Sequence, residues 1–156
     1  MLIGVAALLF VPVFGRTAVR GLQTKNLSNA KQLGLAVRQF AEDHEGRFPT
    51  HLSEIVPDYL DATQSDNVLF AAKLDDEENP RLKYDWLYFG SGFDEKQPPP
   101  LLIASPLVFK DNARQKRVVV FGDGSGSLIK EEEYQELLRK TIEAMHQRFD
   151  GAKPAP

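Results

Sequence analysis

The chain has 156 residues, of which 42% are apolar and 26% charged, the make-up of a folded domain and not of a disordered segment. A formal charge of -3 is too small to argue for a nucleic-acid partner or an acidic substrate, so no nucleic acid is expected among its partners. The lack of cysteine excludes disulfides, thiolate chemistry and cysteine-based zinc sites.

The first element is an apolar run. Leu2, Ile3, Val5, Leu8, Leu9, Phe10, Val11, Pro12 and Phe14 follow one another without a charge, and Arg16, Arg20 and Lys25 come after them. As a helix, Met1 to Gly15 measures about 22 Å, against about 30 Å for the hydrocarbon core of a bilayer. Three readings compete. A secretory signal peptide lacks support, because no basic residue precedes the run and no small-x-small cleavage site follows it. A buried helix of a soluble domain would carry a polar face, and this run has none. The reading adopted is a membrane helix that has lost its first few residues. Pro12 inside it predicts a kink or a locally melted turn. The cations after the run favour a cytoplasmic position for that flank under the positive-inside rule, which conflicts with an extracytoplasmic domain.

The helix is expected to continue to Glu45. Leu27, Ala30, Leu33, Val37, Phe40, Ala41 and His44 recur at steps of three and four and form one apolar face, with Gly46 as the C-terminal cap and Pro49 beyond it. Arg47 to Leu60 reads as a short helix between prolines, and Asp75 to Pro80 as an acidic loop. Leu82 to Gly90, with Tyr84, Trp86, Tyr88 and Phe89, reads as an aromatic strand. Gly90 to Pro100 is a surface loop. Leu101 to Ala104 and Arg117 to Phe121 are short apolar runs typical of buried strands. Gly122, Asp123 and Gly124 start a hairpin turn from which Ser127 to Ile129 returns. Tyr134, Leu137, Leu138, Ile142, Met145 and Phe149 form the apolar face of a last helix, opened by Glu131 to Glu133 and stopped by Gly151.

Several blocks of this order resemble the type IV pilin-like family and the pseudopilins of type II secretion. Leu2 to Pro12 resembles the interior of the pilin N-terminal helix. Asn26-Leu27-Ser28-Asn29-Ala30-Lys31-Gln32-Leu33-Gly34-Leu35-Ala36 is similar to the family stretch NNLKQIGLAL, Gly46-Arg47-Phe48-Pro49 to its GRFP, and Val119-Val120-Phe121-Gly122-Asp123-Gly124 to its VLFADGHV hairpin. The family's leader, its Gly-Phe-Thr-Leu processing site and its early glutamate have no counterpart in this sequence. Ser125-Gly126 stands where the family often has a histidine, so no ligand role carries over to that position.

The remaining motifs have plain readings. Gly122-x-Gly124-x-Gly126 lacks the Gly-Lys-Ser/Thr ending of a phosphate loop and reads as a tight hairpin. His44, His51 and His146 show no metal spacing. Asp75-Asp76-Glu77-Glu78 lacks the alternation of a calcium loop and reads as a solvated loop. The aromatic strand puts Tyr84, Trp86 and Tyr88 on one face and Leu87 and Phe89 on the other, one facing the core and the other open to a partner. Leu35 lies off the apolar face of the helix.

The expected fold class is therefore α+β: a long N-terminal helix, apolar over its first third, packed on a small antiparallel sheet of three to four strands, with a C-terminal amphipathic helix at the surface or edge. The expected organisation is a membrane and filament segment over 1–22, a globular domain over 23–150 and a tail over 151–156. The resemblance implies a structural subunit of a pseudopilus or pilus-like filament, without catalysis, cofactor or metal. It would be placed in the inner membrane by a single span, with its domain extracytoplasmic or in a filament. Its implied partners are copies of itself, other pilin-like subunits, inner-membrane assembly machinery and membrane lipid. The alternative is a membrane-anchored extracytoplasmic module that binds a glycan, peptide or ion.

Overall fold

The computed structural model describes residues 3–61, 68–71, 84–111 and 114–150, with the side chains of the first helix described from Arg20 onward. The acidic loop Asp75 to Pro80, the tail 151–156 and the side chains of Leu2 to Phe14 lie outside the described residues.

Helix α1 spans Ile3–Asp43. A Schellman closure ends it: the Gly46 N–H donates to the Ala41 carbonyl at 2.8 Å. Gly46 has a φ of 83°, but the left-handed turn begins one residue earlier, at Glu45 with a φ of 60°. A side chain in that conformation costs about 1 kcal/mol relative to glycine. His44 covers the end of the helix, its ring stacked on Phe40 at 3.8 Å and its Nδ1 2.7 Å from the Phe40 carbonyl. The region Arg47 to Leu60, expected as a short helix, contains a single 3-10 turn at Leu52–Ile55.

The strands are β1 (Phe70–Ala71), β2 (Tyr84–Asp85), β3 (Leu87–Tyr88), β4 (Leu101–Ala104), β5 (Phe109–Asp111), β6 (Arg114–Phe121) and β7 (Gly126–Lys130). Among the described residues β1 and β2 pair only with each other. The other five form one antiparallel sheet around β6. β4 pairs with the second half of β6 and β5 with its first half, along one edge, and β7 runs along the opposite edge. β3 adds to β4. Helix α2 (Glu131–Asp150) follows β7 directly.

The two helices cover the two faces of the sheet. Val118 and Val120 point into the core with Leu33, Val37 and Phe40 of α1. Val119 points the other way, into a second cluster with Leu101, Ile129 and Tyr134, backed by Leu137 and Leu138 of α2. A strand buried on both faces needs apolar residues at every position, which explains the unbroken Val118-Val119-Val120 run. Two polar contacts fix α2 to the sheet. The Leu101 N–H donates to the Thr141 hydroxyl at 3.1 Å, and that hydroxyl donates to the Leu137 carbonyl. Arg117 makes a two-pronged pair with Glu131 at 2.9 and 3.0 Å, donates to the Ser105 carbonyl at 2.7 Å, and lies 4.3 Å over the Tyr134 ring.

The expected fold class is corrected in these respects. The sheet has five strands and not three to four, lies mostly in the C-terminal half, and is accompanied by a separate two-stranded pair. The extra strand arises because Ser105 and Pro106 break one side of β6 into β4 and β5, and β5 is too short to show an alternating pattern. α2 packs on the surface of the sheet, over β4, β6 and β7. The described side chains of α1 show no all-round apolar stretch: from Arg20 to Asp43 buried and exposed residues alternate with the helix turn. The aromatic segment is not one strand. It breaks at Trp86, whose indole turns inward and donates to the Val68 carbonyl at 3.0 Å.

The expected single-pass inner-membrane placement is also corrected. Among the described residues no helix is long and apolar enough to cross a membrane. Between Arg20 and Asp43, α1 carries Lys25, Lys31, Arg38 and Glu42 as well, and each charge at the centre of a spanning helix costs about 3 kcal/mol.

Two outcomes test these contacts. Glu45→Gly removes the side chain from a left-handed residue and is expected to raise unfolding stability by about 0.5–1 kcal/mol in urea melts. Burial raises the Glu131 carboxyl, but the hydrogen bonds from Arg117 and Gln135 outweigh it and leave the group below its ordinary value. Its stabilising contribution is therefore complete above the unfolded value near 4.5 and is lost as pH falls through the lower folded value. Glu131→Gln is expected to lower stability at neutral pH by roughly 2 kcal/mol and to flatten the decline as pH falls below about 4.5, measured by melts across pH.

Candidate functional site

The structural centre of the molecule is the contact between α1 and the β6–β7 hairpin. Ala30, Leu33, Val37 and Ala41 are fully buried, Phe40 nearly so, and Leu27 packs at the border of the cluster. The buried face is wider than the apolar stripe. It also takes in Gln23, Asn26, Asn29 and Ala36, and Asn26 satisfies its amide by donating to the Leu22 carbonyl at 3.0 Å. Among the described side chains of α1, which start at Arg20, the first in the core cluster is Leu22.

Gly34 sets the approach of the helix to the hairpin. A Cβ at this position would lie 2.6 Å from the Gly124 carbonyl oxygen and 2.9 Å from Val120. One neighbour is backbone and the other a packed core residue, so neither yields at low cost. Gly122 is held as closely on the other side of the turn, where a Cβ would stand 2.3 Å from the Pro99 carbonyl oxygen. Asp123 is exposed and closes the turn: its Oδ1 accepts from the Ser125 hydroxyl at 2.6 Å and from the Ser125 N–H at 2.8 Å. These hydrogen bonds hold the Asp123 carboxyl below its ordinary value. The glycine-rich turn is thus a clasp between the helix and the proline loop. The one carboxylate of the turn is engaged within the turn itself.

The outward side of α1 carries Leu35, which is 60% exposed. The aromatic segment offers little to a ligand. Trp86 is buried, the Tyr88 hydroxyl donates to the Pro49 carbonyl at 2.7 Å, and burial pushes the Tyr88 phenol far above its ordinary value. A groove of about 670 Å³ beside it is lined by His51, Leu52, Leu69 and the edges of Trp86 and Tyr88. A second groove of about 440 Å³, at the C-terminal end of α1, has Phe40, Phe48 and Phe93 at its floor and the Arg148–Asp94 ion pair at its rim. No group of three or more His, Asp or Glu stands close enough to hold a metal ion among the described residues.

No family model, curated protein or solved structure matches the chain.

One substitution made at two positions of α1 tests the clasp. A Cβ at Gly21 would meet nothing within 4 Å, so Gly21→Ala is expected to raise stability by up to about 1 kcal/mol through helix propensity alone. Gly34→Ala gains the same propensity but forces a backbone contact, and overpacking of this kind costs about 1–3 kcal/mol, so a net loss of about 1 kcal/mol is expected. Denaturant melts of the two variants should therefore move in opposite directions.

Proposed function

We propose that this chain is a structural subunit that assembles through α1, in the manner of the pilin-like proteins its sequence blocks resemble. The observation that carries this reading is the charge-free apolar run Leu2 to Phe14, which precedes in sequence the stretch of α1 that packs on the sheet. The helix runs from Ile3 to Asp43, and of its described side chains, those from Arg20 onward, Leu22, Leu27, Ala30, Leu33, Ala36, Val37, Phe40 and Ala41 join the domain core. At 1.5 Å per residue the helix is about 60 Å long, and the stretch from Leu22 to Asp43 accounts for only about 30 Å of it. Ahead of that stretch the sequence carries the apolar run Leu2 to Phe14, and association of copies through it would be favoured by about 25 cal/mol per Å² of apolar surface removed from water.

The clasp at Gly34 supports the same reading from the domain side. A helix used for association transmits a fixed orientation only if it is rigidly joined to the body it carries, and backbone contact at Gly34 joins it without a flexible side chain between. Leu35, exposed on the outward side of the packed stretch, is open to a neighbouring copy. Other pilin-like subunits and assembly machinery are partners of the same reading. A glycan-binding module draws less support, because the indole of Trp86 and the hydroxyl of Tyr88 are taken up inside the domain.

Replacing Leu8 and Leu9 with aspartate is the direct test. Buried unpaired charges cost several kcal/mol each, so self-association of the full chain should fall at least tenfold in sedimentation velocity. The unfolding transition of the sheet domain should stay within about 0.5 kcal/mol of the native chain, as for substitutions away from the packed core. Association of the variant equal to that of the native chain would sink the reading.

A further inference from the structure

The charges of α1 and of the segment after it are segregated. From residue 16 to residue 41 the basic residues are Arg16, Arg20, Lys25, Lys31 and Arg38, with no acid among them. From residue 42 to residue 61 the acids are Glu42, Asp43, Glu45, Glu54, Asp58 and Asp61, against the single cation Arg47. The fold extends the basic side. Lys116 of β6 and Lys130 of β7 stand directly opposite each other in the sheet, a like-charge pair of the kind that destabilises an antiparallel ladder. Lys31 lies along the same strand, its Cγ 2.8 Å from where a Cβ on Gly126 would be. Among the described residues, Lys25, Lys31, Lys116 and Lys130 have no ion-pair partner, whereas Arg38 is neutralised by Glu95 at 3.0 Å. At the acidic end, again among the described residues, the Asp43 carboxylate accepts from the Tyr59 hydroxyl, and Glu42, Asp58 and Asp85 have no cation beside them.

We infer that the acidic end of one copy, from Glu42 to Asp58, docks on the basic face of the next, formed by Lys31, Lys116 and Lys130. The two surfaces are opposite in sign and sit at different places on the same molecule. The contact is therefore heterologous, and repetition of it joins subunits head to tail in an open array and not in a closed pair. The inference rests on the assembly reading and deepens it: the apolar half of α1 supplies association, and the segregated charges set which end meets which. Like-charge approach of two basic faces or of two acidic ends opposes the other orientations.

Charge reversal on the full chain tests this. Lys31→Glu with Lys130→Glu reverses part of one face, and Glu42→Lys with Asp58→Lys reverses part of the other. Each pair is expected to weaken association at least tenfold in sedimentation velocity at about 0.05 M salt and to have little effect at about 0.5 M, where screening is short-ranged. The quadruple variant again sets opposite signs against each other at the four altered positions, and partial recovery of its association is the result expected. Native-like association of both double variants at low salt would overturn the electrostatic docking while leaving helix-driven assembly standing. If the quadruple variant fails to recover although its melting transition is native, the docking is overturned. If the native chain does not self-associate at either salt, the assembly reading fails and the docking with it. If it instead binds vesicles of anionic phospholipid through Lys31 and Lys130 without self-association, the basic face serves a lipid surface and the docking is overturned.

Discussion

Backbone-to-backbone contact between α1 and the β6–β7 hairpin is the constraint on which the rest of the structure depends. With Gly34 against the Gly124 carbonyl, the helix lies low enough on the sheet for Ala30, Leu33 and Val37 to meet Val118 and Val120 without a gap. Packing at that density leaves little room for adjustment, since interiors lose stability both when they are opened and when they are overfilled. The turn that makes the contact is held from its other side by Pro99 and closed by Asp123 on Ser125. A third attachment, the Arg38–Glu95 ion pair, joins the same stretch of helix to the loop before β4.

The second face of the sheet follows from the first. Once α1 covers Val118 and Val120, the intervening Val119 needs its own apolar cover, which α2 supplies with Leu137 and Leu138. The buried Arg117 is tolerated there because all three of its polar directions are used: two on the Glu131 carboxylate and one on the Ser105 carbonyl. Glu131 is also the first residue of α2, where a carboxylate suits the positive end of the helix. The same ion pair therefore opens the helix and docks it.

What could be read from the sequence was the part governed by local periodicity. The inward stripe of α1, the apolar runs that form β4 and the second half of β6, and Tyr134, Leu137, Leu138 and Met145 of α2 follow the pattern of their own element, whereas Ile142 and Phe149 of the expected α2 face are exposed and Thr141 is buried. What could not be read depends on contacts between residues far apart in the chain. The Leu101 N–H finds Thr141 forty residues away. The aromatic segment breaks because Trp86 is drawn inward to Val68, eighteen residues earlier, a pull that overrides its strand propensity. Asn26 and Asn29 look polar by type but lie on the buried side of α1, so the face that meets the sheet is broader than its apolar residues alone suggest. The glycine pattern at 122, 124 and 126 reads as a hairpin from sequence, while its role as a clasp emerges only with Gly34 and Pro99 in place. The segregation of charge is fully present in the sequence, but its extension across β6 and β7 needs the strand register that sets Lys116 opposite Lys130.

Function, in this reading, comes from asking one helix to do two things. Its second half is a wall of the domain core, and its first half is, as proposed, given over to other copies of the chain. Hydrogen exchange on the full chain across a concentration series tests that division most directly. Slow exchange from Ala30 to Ala41 at every concentration, with protection over residues 3–20 rising as concentration rises, is the predicted result. Concentration-independent exchange along the whole of α1, or rapid exchange between Ala30 and Ala41, would contradict it.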